Sequence, residues 1–224
     1  MQTIEHFKIK AVIFDLDGTL IDSAPSILAG LNMAIKKSGL LPVLPLTRSL
    51  VGPPLRETIQ KLVGNQLNVD LDILVSDFKS YYDSEGFKTS ILYPGVQRLL
   101  NELNQLGILI YLATNKRLEP TLKIVEYFGW TSIFDEIYAI DKYKESPFMD
   151  KASMIEALMR TKSIKQEHAI YVGDRIEDFE ASSANGLNTI LVNWGYGNLV
   201  DVNTPEGLRY ASCSRDLLGM IMGE

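Results

Sequence analysis

A single cysteine, two histidines and no apolar run of membrane-spanning length set the outer limits on this chain of 224 residues. With Cys213 alone no intrachain disulfide can form, and nothing points to an oxidising compartment. His6 and His168 stand far apart with no metal-ligand spacing, so both read as surface or loop residues. No stretch approaches ~18 consecutive apolar residues. The amino end, M-Q-T-I-E-H-F-K-I-K, also lacks an apolar core of signal-peptide length, so a cytoplasmic protein with no membrane partner is expected. Positive charge is scarce too: 22 Lys and Arg against 28 Asp and Glu leave a net charge of −6, which argues against nucleic acid or an anionic membrane surface as partner. An anionic substrate would need positive charge concentrated at one place. At 46% hydrophobic and 22% charged the chain is ordinary for a globular protein, with length for one large domain or for a core carrying a small insert.

What is present is organised around Ala11 to Ser23, A-V-I-F-D-L-D-G-T-L-I-D-S. Four apolar residues without alternation suit a strand buried on both faces of a parallel sheet, which puts Asp15 at the strand's carboxyl end. Asp17 follows two residues on, so an extended continuation points both carboxylates to one side, and Gly18 lets the backbone turn away. That edge of an open α/β sheet is where ligands bind, and two close carboxylates either raise one pKa or share a cation. Asp-Gly between apolar residues is also a hairpin signal. Asp22-Ser23-Ala24-Pro25, however, reads as a helix start with Ser23 as cap and Pro25 in the first turn, so strand, loop and helix fit better.

Ile27, Leu28, Leu31 and Ile35 recur at helical spacing up to Gly39. Further helices are expected over Pro54 to Val63 and Leu71 to Tyr82, the second with Leu74, Phe78, Tyr81 and Tyr82 on one face that reads as core of the inserted segment. No strand is evident between Ser23 and about Ser90. From Tyr93 helix and strand alternate: helix Val96 to Leu106, strand Ile108 to Ala113, helix Leu118 to Phe128, strand Glu136 to Ile140, helix Lys151 to Arg160, strand Ala169 to Val172, helix Ile176 to Ala184, strand Thr189 to Val192, and a last helix from Ser214. This is the signature of βαβ units. The expected architecture is a doubly wound parallel α/β sheet built from residues 1–22 and 90–224, with residues 23–89 as an inserted all-helical cap.

Three other stretches carry chemistry. The strand at Ile108 to Ala113 runs into Thr114-Asn115-Lys116, bringing a hydroxyl and two backbone amides to the same sheet edge, as the oxygens of a transferring phosphoryl group want; capping of the next helix by Thr114 or Asn115 is the plainer alternative. The strand at Ala169 to Val172 ends in Gly173-Asp174-Arg175-Ile176-Glu177-Asp178, where Asp174 stands at a strand end as Asp15 does and Asp178 lies one helical turn on. Two acids facing Asp15 would hold a hard cation through oxygen, for which Mg²⁺ is suited, although acids at a helix start also favour the helix dipole unaided. For the positive charge, Lys142, Lys144 and Lys151 compete. Lys151 begins a helix behind Asp150, where a cation opposes the macrodipole unless an anion sits nearby, which favours it over Lys144.

D-x-D-G-T-x-x-D-S and G-D-x-x-x-D resemble the first and last motifs of the haloacid dehalogenase superfamily, and Tyr93-Pro94-Gly95-Val96 and Val51-Gly52-Pro53-Pro54-Leu55 resemble its phosphoglycolate phosphatase-like branch. The resemblance spans Val12 to about Gly197. It implies Asp15 as nucleophile, Asp17 as general acid and base, Thr114, Asn115 and Gly18 as phosphate contacts, and Asp15, Asp17 and Asp174 as Mg²⁺ ligands with Asp178 in support. Many relatives show Lys-Pro-x-Pro at the third motif, of which Lys144-Glu145-Ser146-Pro147 is a distorted echo; others begin the helix with Lys-Ala, as Lys151-Ala152 does. The implied activity is a Mg²⁺-dependent phosphatase acting through an aspartyl-phosphate on a small phosphorylated metabolite, with the helical insertion as a mobile cap in which Arg48 and Arg56 could meet the substrate. A phosphosugar mutase of the same superfamily would keep every motif, whereas a phospho-accepting receiver domain is about half as long and has no insertion. Substrate, and monomer versus homodimer, stay open.

Overall fold

The computed structural model of the protein describes residues 9–66, 69–197 and 208–223, so His6 lies outside the described residues. The chain packs into two compact units, Met1–Ile21 with Leu92–Glu224, and Asp22–Ile91. The expected division at 22/23 and 89/90 lies within two residues of these limits.

The first unit is an α/β layer structure. In chain order its elements are β1 (Ala11–Phe14), the short strands β2 (Ile21–Asp22) and β3 (Ile91–Leu92), which bracket the second unit in sequence, then α4 (Val96–Gln105), β4 (Leu109–Thr114), α5 (Leu118–Tyr127), β5 (Glu136–Ala139), α6 (Lys151–Lys162), β6 (Ala169–Gly173), α7 (Ile176–Ser183), β7 (Asn188–Val192), β8 (Arg209–Ala211) and α8 (Ser214–Met222). The main sheet has the order β5-β4-β1-β6-β7-β8, and every pairing in it is parallel. β1 therefore lies between β4 and β6, which explains its unbroken apolar run: neither face of a central parallel strand meets water. The hairpin alternative falls away, because β1 has no antiparallel partner and β2 pairs instead with β3. On one face Ile13, Tyr111, Tyr138 and Tyr171 pack against Met154, Ile155 and Leu158 of α6 and Ala181 of α7. Burial of this kind contributes about 25 cal/mol per Å² of apolar surface and fixes where each strand ends.

The register is what positions the site. Phe14 stands opposite Leu112 of β4 and Val172 of β6, so Asp15, Thr114 and Asp174 leave the sheet at one edge. No element is expected from the sequence at β8, β2 or β3, nor at the three single-turn 3₁₀ helices Arg48–Leu50, Gly86–Thr89 and Gln166–His168.

The second unit is helical: α1 (Ala24–Lys37), α2 (Leu55–Val63) and α3 (Leu71–Ser84). α1 approaches α3 closely through Gly30, where a Cβ would stand 2.9 Å from the Phe78 ring. Phe78 and Tyr82 are buried and stack at 5.4 Å, so the aromatic face belongs to this unit's own core. Ser23 stands at the N-cap of α1 as expected, but its side chain makes no capping bond, and Asp22 Oδ1 accepts the Ala24 N–H at 3.1 Å. A carboxylate there also satisfies the dipole.

Candidate active site

Asp15 is delivered by β1 and anchored at once, its N–H donating to Val172 O at 2.9 Å. The chain then coils tightly, with Leu20 N–H on Leu16 O and Gly18 N–H on Ile21 O (2.8 Å). Gly18 sits at φ +87°, and a Cβ on it would lie 2.3 Å from Asp174 Oδ2, so only glycine fits between the two acid-bearing loops. Its N–H donates to Ile21 O, and what Gly18 supplies here is the turn.

Lys151 Nζ donates to Asp15 Oδ1 (2.9 Å) and Asp178 Oδ1 (2.5 Å), with its side chain largely buried. It opens α6 behind Asp150, whose carboxylate accepts the Ser153 N–H in a capping box. The cation at this helix start is thus offset by two buried anions. Of its rivals, Lys142 turns to Glu136 (2.8 Å) and Ile137 O (2.7 Å), and Lys144 is exposed.

Asp178 is held from four sides: Oδ2 accepts the Asp174 N–H (3.1 Å) and Arg175 N–H (3.0 Å), while Oδ1 faces Lys151 and the Tyr171 hydroxyl (3.4 Å). Asp174 receives the Tyr196 N–H on Oδ2 at 2.7 Å, and its Oδ1 is buried with no hydrogen-bond partner. Tyr196 reaches it because Gly195 passes so close that a Cβ there would stand 2.3 Å from Asp174 Cβ. Burial, then the charges of Asp15 and Asp178, push the Asp174 carboxyl up to about 7. Burial likewise raises Asp15 to about 6, against the pull of Lys151. Burial works against the Lys151 ammonium, but Asp15 and Asp178 together hold it well above the usual lysine value.

Thr114 is buried at the end of β4, and its Oγ1 accepts the Lys116 N–H (3.2 Å), so one of the two amides expected for a ligand is used locally. Asn115 is exposed. Neither residue caps α5, because Leu118 N–H donates to Asp141 Oδ1 (2.6 Å). Asp17, expected beside Asp15 as a ligand, turns its carboxylate to Lys116 Nζ (3.0 Å). The acids that do cluster among the described residues are Asp15, Asp174 and Asp178, whose oxygens lie within 4.8 Å of one another. Three buried carboxylates against one lysine, with Asp174 Oδ1 unpartnered, fit an oxygen-seeking divalent cation. In the helical unit Arg48 pairs with Asp22 (2.5 Å) and Arg56 with Asp72. Sequence reasoning missed the side chain of Lys116, Tyr171 and the amide of Tyr196. The W-G-Y-G run at Trp194 to Gly197, two glycines flanking an aromatic, was the available signal for the last.

A test of the acid cluster follows from linkage. The folded values of about 6 for Asp15 and about 7 for Asp174 lie above the ordinary 3.8. The folded protein therefore holds more protons than the unfolded chain between those limits, so the contribution is complete below 3.8, and the stability of the metal-free protein falls as pH rises through about 6 and 7. Melting curves should show Mg²⁺ raising Tm at about pH 8 and scarcely at about pH 5. An equal rise at both would remove these acids as the cation site, and Asp174→Ala should abolish the rise.

Residues 12–192 match the model of the haloacid dehalogenase-like hydrolase family. A phosphoglycolate phosphatase of Rhodobacter capsulatus is 32% identical over 83% of this chain and 85% of that protein. The tyrosine-protein kinase PtkA of Mycobacterium tuberculosis is likewise 32% identical over 83% of this chain, which spans only 62% of it. A predicted phosphatase from Clostridium acetobutylicum superposes with a TM-score of 0.80 at 27% identity, covering 97% of this chain and 100% of that one. No helix of the described residues is long and apolar enough to cross a membrane. With a family match running from the first sheet strand through β7, and with strand-end acids in the order seen here, this chain belongs to the haloacid dehalogenase-like hydrolases.

Proposed function

We propose that the protein is a Mg²⁺-dependent phosphatase that hydrolyses a small phosphomonoester through an aspartyl-phosphate on Asp15. The observation that carries this reading is Lys151 bridging Asp15 and Asp178 beside the unpartnered Asp174 Oδ1, at the edge where Thr114 also leaves the sheet. Asp15 Oδ attacks phosphorus as the ester oxygen departs, and Asp17 gives that oxygen its proton. Asp17 then takes a proton from the water that attacks phosphorus, which frees Asp15 and releases phosphate. Thr114 Oγ1, the neighbouring amide of Asn115 and the Lys151 ammonium receive the non-bridging oxygens. The cation would be held by Asp15 and Asp174 with Asp178 behind them, and Mg²⁺ bound there supplies charge neutralisation of the phosphoryl group.

The helical unit inserted after the nucleophile's loop acts as a cap that admits small substrates and excludes phosphoproteins. Arg48 and Arg56 are its proposed contacts to the substrate's remote anionic group, and Arg48→Ala or Arg56→Ala should raise KM. A metabolite panel with phosphate release as readout tests the reading: phosphoglycolate, sugar phosphates and nucleoside monophosphates should be hydrolysed with Mg²⁺ and spared with chelator. Isomerised sugar phosphate without free phosphate would mark a mutase. Because one 32% identical relative is named a tyrosine kinase, transfer from ATP to a tyrosine is the outcome to exclude.

A further inference from the structure

Lys116 has no place in the reading given so far, yet its side chain is only 9% exposed and ends 3.0 Å from Asp17 Oδ2. A lysine is rarely buried unless it is paired. The backbone around it is fixed on both sides: its N–H donates to Thr114 Oγ1 (3.2 Å), and its carbonyl accepts the Ile140 N–H (3.4 Å). Asp17 is fixed equally, in the coil between Leu16 and Ile21, where it forms a β-bridge with Ile21. The two meet because β1 and β4 are neighbours in register, Phe14 opposite Leu112, so the loops leaving them run side by side. The ion pair uses Oδ2 of Asp17, while Oδ1 is buried and has no hydrogen-bond partner. The pair fixes the rotation and place of the Asp17 carboxyl group. A free carboxyl would instead rotate.

We infer that Lys116 is a positioning residue for Asp17, fixing where its carboxyl group stands to pass the proton to the leaving group and to take one back from water. The inference rests on the phosphatase reading and on Asp17 as its acid and base. It differs from a direct role in phosphate binding: a lysine on the phosphoryl group would act on every substrate alike, whereas one acting through Asp17 matters in proportion to how much the leaving oxygen needs a proton.

The test compares an alkyl monoester from the panel with p-nitrophenyl phosphate, whose leaving group departs unprotonated. In Lys116→Met, kcat/KM on the alkyl ester, which reports phosphoryl transfer to Asp15 and not the later hydrolysis, should fall about 10²-fold, the scale expected for a misplaced catalytic group. kcat/KM on p-nitrophenyl phosphate should fall far less, and Lys116→Arg should recover much of the loss. In the Asp17→Asn background, Lys116→Met should add no further loss. Equal losses of kcat/KM on both substrates, or additive losses in the double variant, would overturn the inference. A crystal structure of Lys116→Met keeps the test independent of turnover: the Asp17 carboxyl should leave its present position, and an unmoved Asp17 would overturn the inference even if the wild-type protein proved to hydrolyse nothing. Absence of phosphate release by the wild type with Asp17 displaced in the variant would instead count against the phosphatase reading alone.

Discussion

Asp15→Asn should fold normally and lose turnover by on the order of 10⁴-fold or more, the scale seen when a nucleophilic group is removed from an otherwise intact site. An amide keeps the shape and the hydrogen bond from Lys151 but cannot attack phosphorus. The variant should also be no less stable than the parent without metal. Burial lifts the Asp15 carboxyl to about 6, so at about pH 8 the folded protein carries it ionised against its preference, and the neutral isostere removes that penalty. Asp178 remains to pair with Lys151 at 2.5 Å. Circular dichroism and a melt at about pH 8, set beside the steady-state rate, check both halves. A melting point several degrees below the parent would mean that the Asp15 to Lys151 bond is structural rather than poised for chemistry.

Lys151→Ala should do the opposite to stability. It leaves Asp15, Asp174 and Asp178 buried together without their cation, and breaking a buried ion pair from one side typically costs about 3–5 kcal/mol. The loss should be greatest near pH 8 and shrink towards about pH 5, because Asp15 and Asp174, at about 6 and about 7, take up protons over that interval and relieve the repulsion. Turnover should fall by about 10²–10³-fold, as when one preorganised donor to the reacting group is removed. Lys144→Ala, at an exposed loop position, should change stability by less than about 0.5 kcal/mol and leave turnover alone. Chemical denaturation of both variants at the two pH values measures the contrast. A larger effect from Lys144 would mean that the loop echo of Lys-Pro-x-Pro, and not the helix start, carries the third motif.

How far the site could be read beforehand depended on whether a residue's position was set by the strand that carries it. A-V-I-F and A-I-Y-V are apolar without alternation because both faces are covered, and the first polar residue after such a run must stand at the sheet edge. Asp15, Thr114 and Asp174 were therefore legible as neighbours. Lys151 was legible through an energetic oddity, a cation where the helix dipole disfavours it, which required an anion close by. Asp17 was read by extending the strand's two-residue period past its end. The chain abandons that period at Leu16 and coils, and the carboxylate meets Lys116, a partner that the period could not name. The Lys116 side chain was invisible for the same reason: a loop side chain finds its partner across the fold, and no local spacing records it. β8 was missed because Arg209–Ala211 offers three residues, too few for any period to register. The start of α1 shows the finer limit, since Ser23 holds the N-cap position but the side chain that accepts a first-turn N–H is that of Asp22.

The central claim is that Asp15 carries the phosphoryl group. Acid-quenching the protein during turnover of its best panel substrate, then mapping its peptides by mass, addresses that claim most directly. One phosphoryl group on the peptide holding Asp15, absent in Asp15→Asn and chased to free phosphate in the unquenched control, is the expected result. Sustained phosphate release with Asp15 unlabelled at every quench time, and with Asp15→Asn still active, would contradict it.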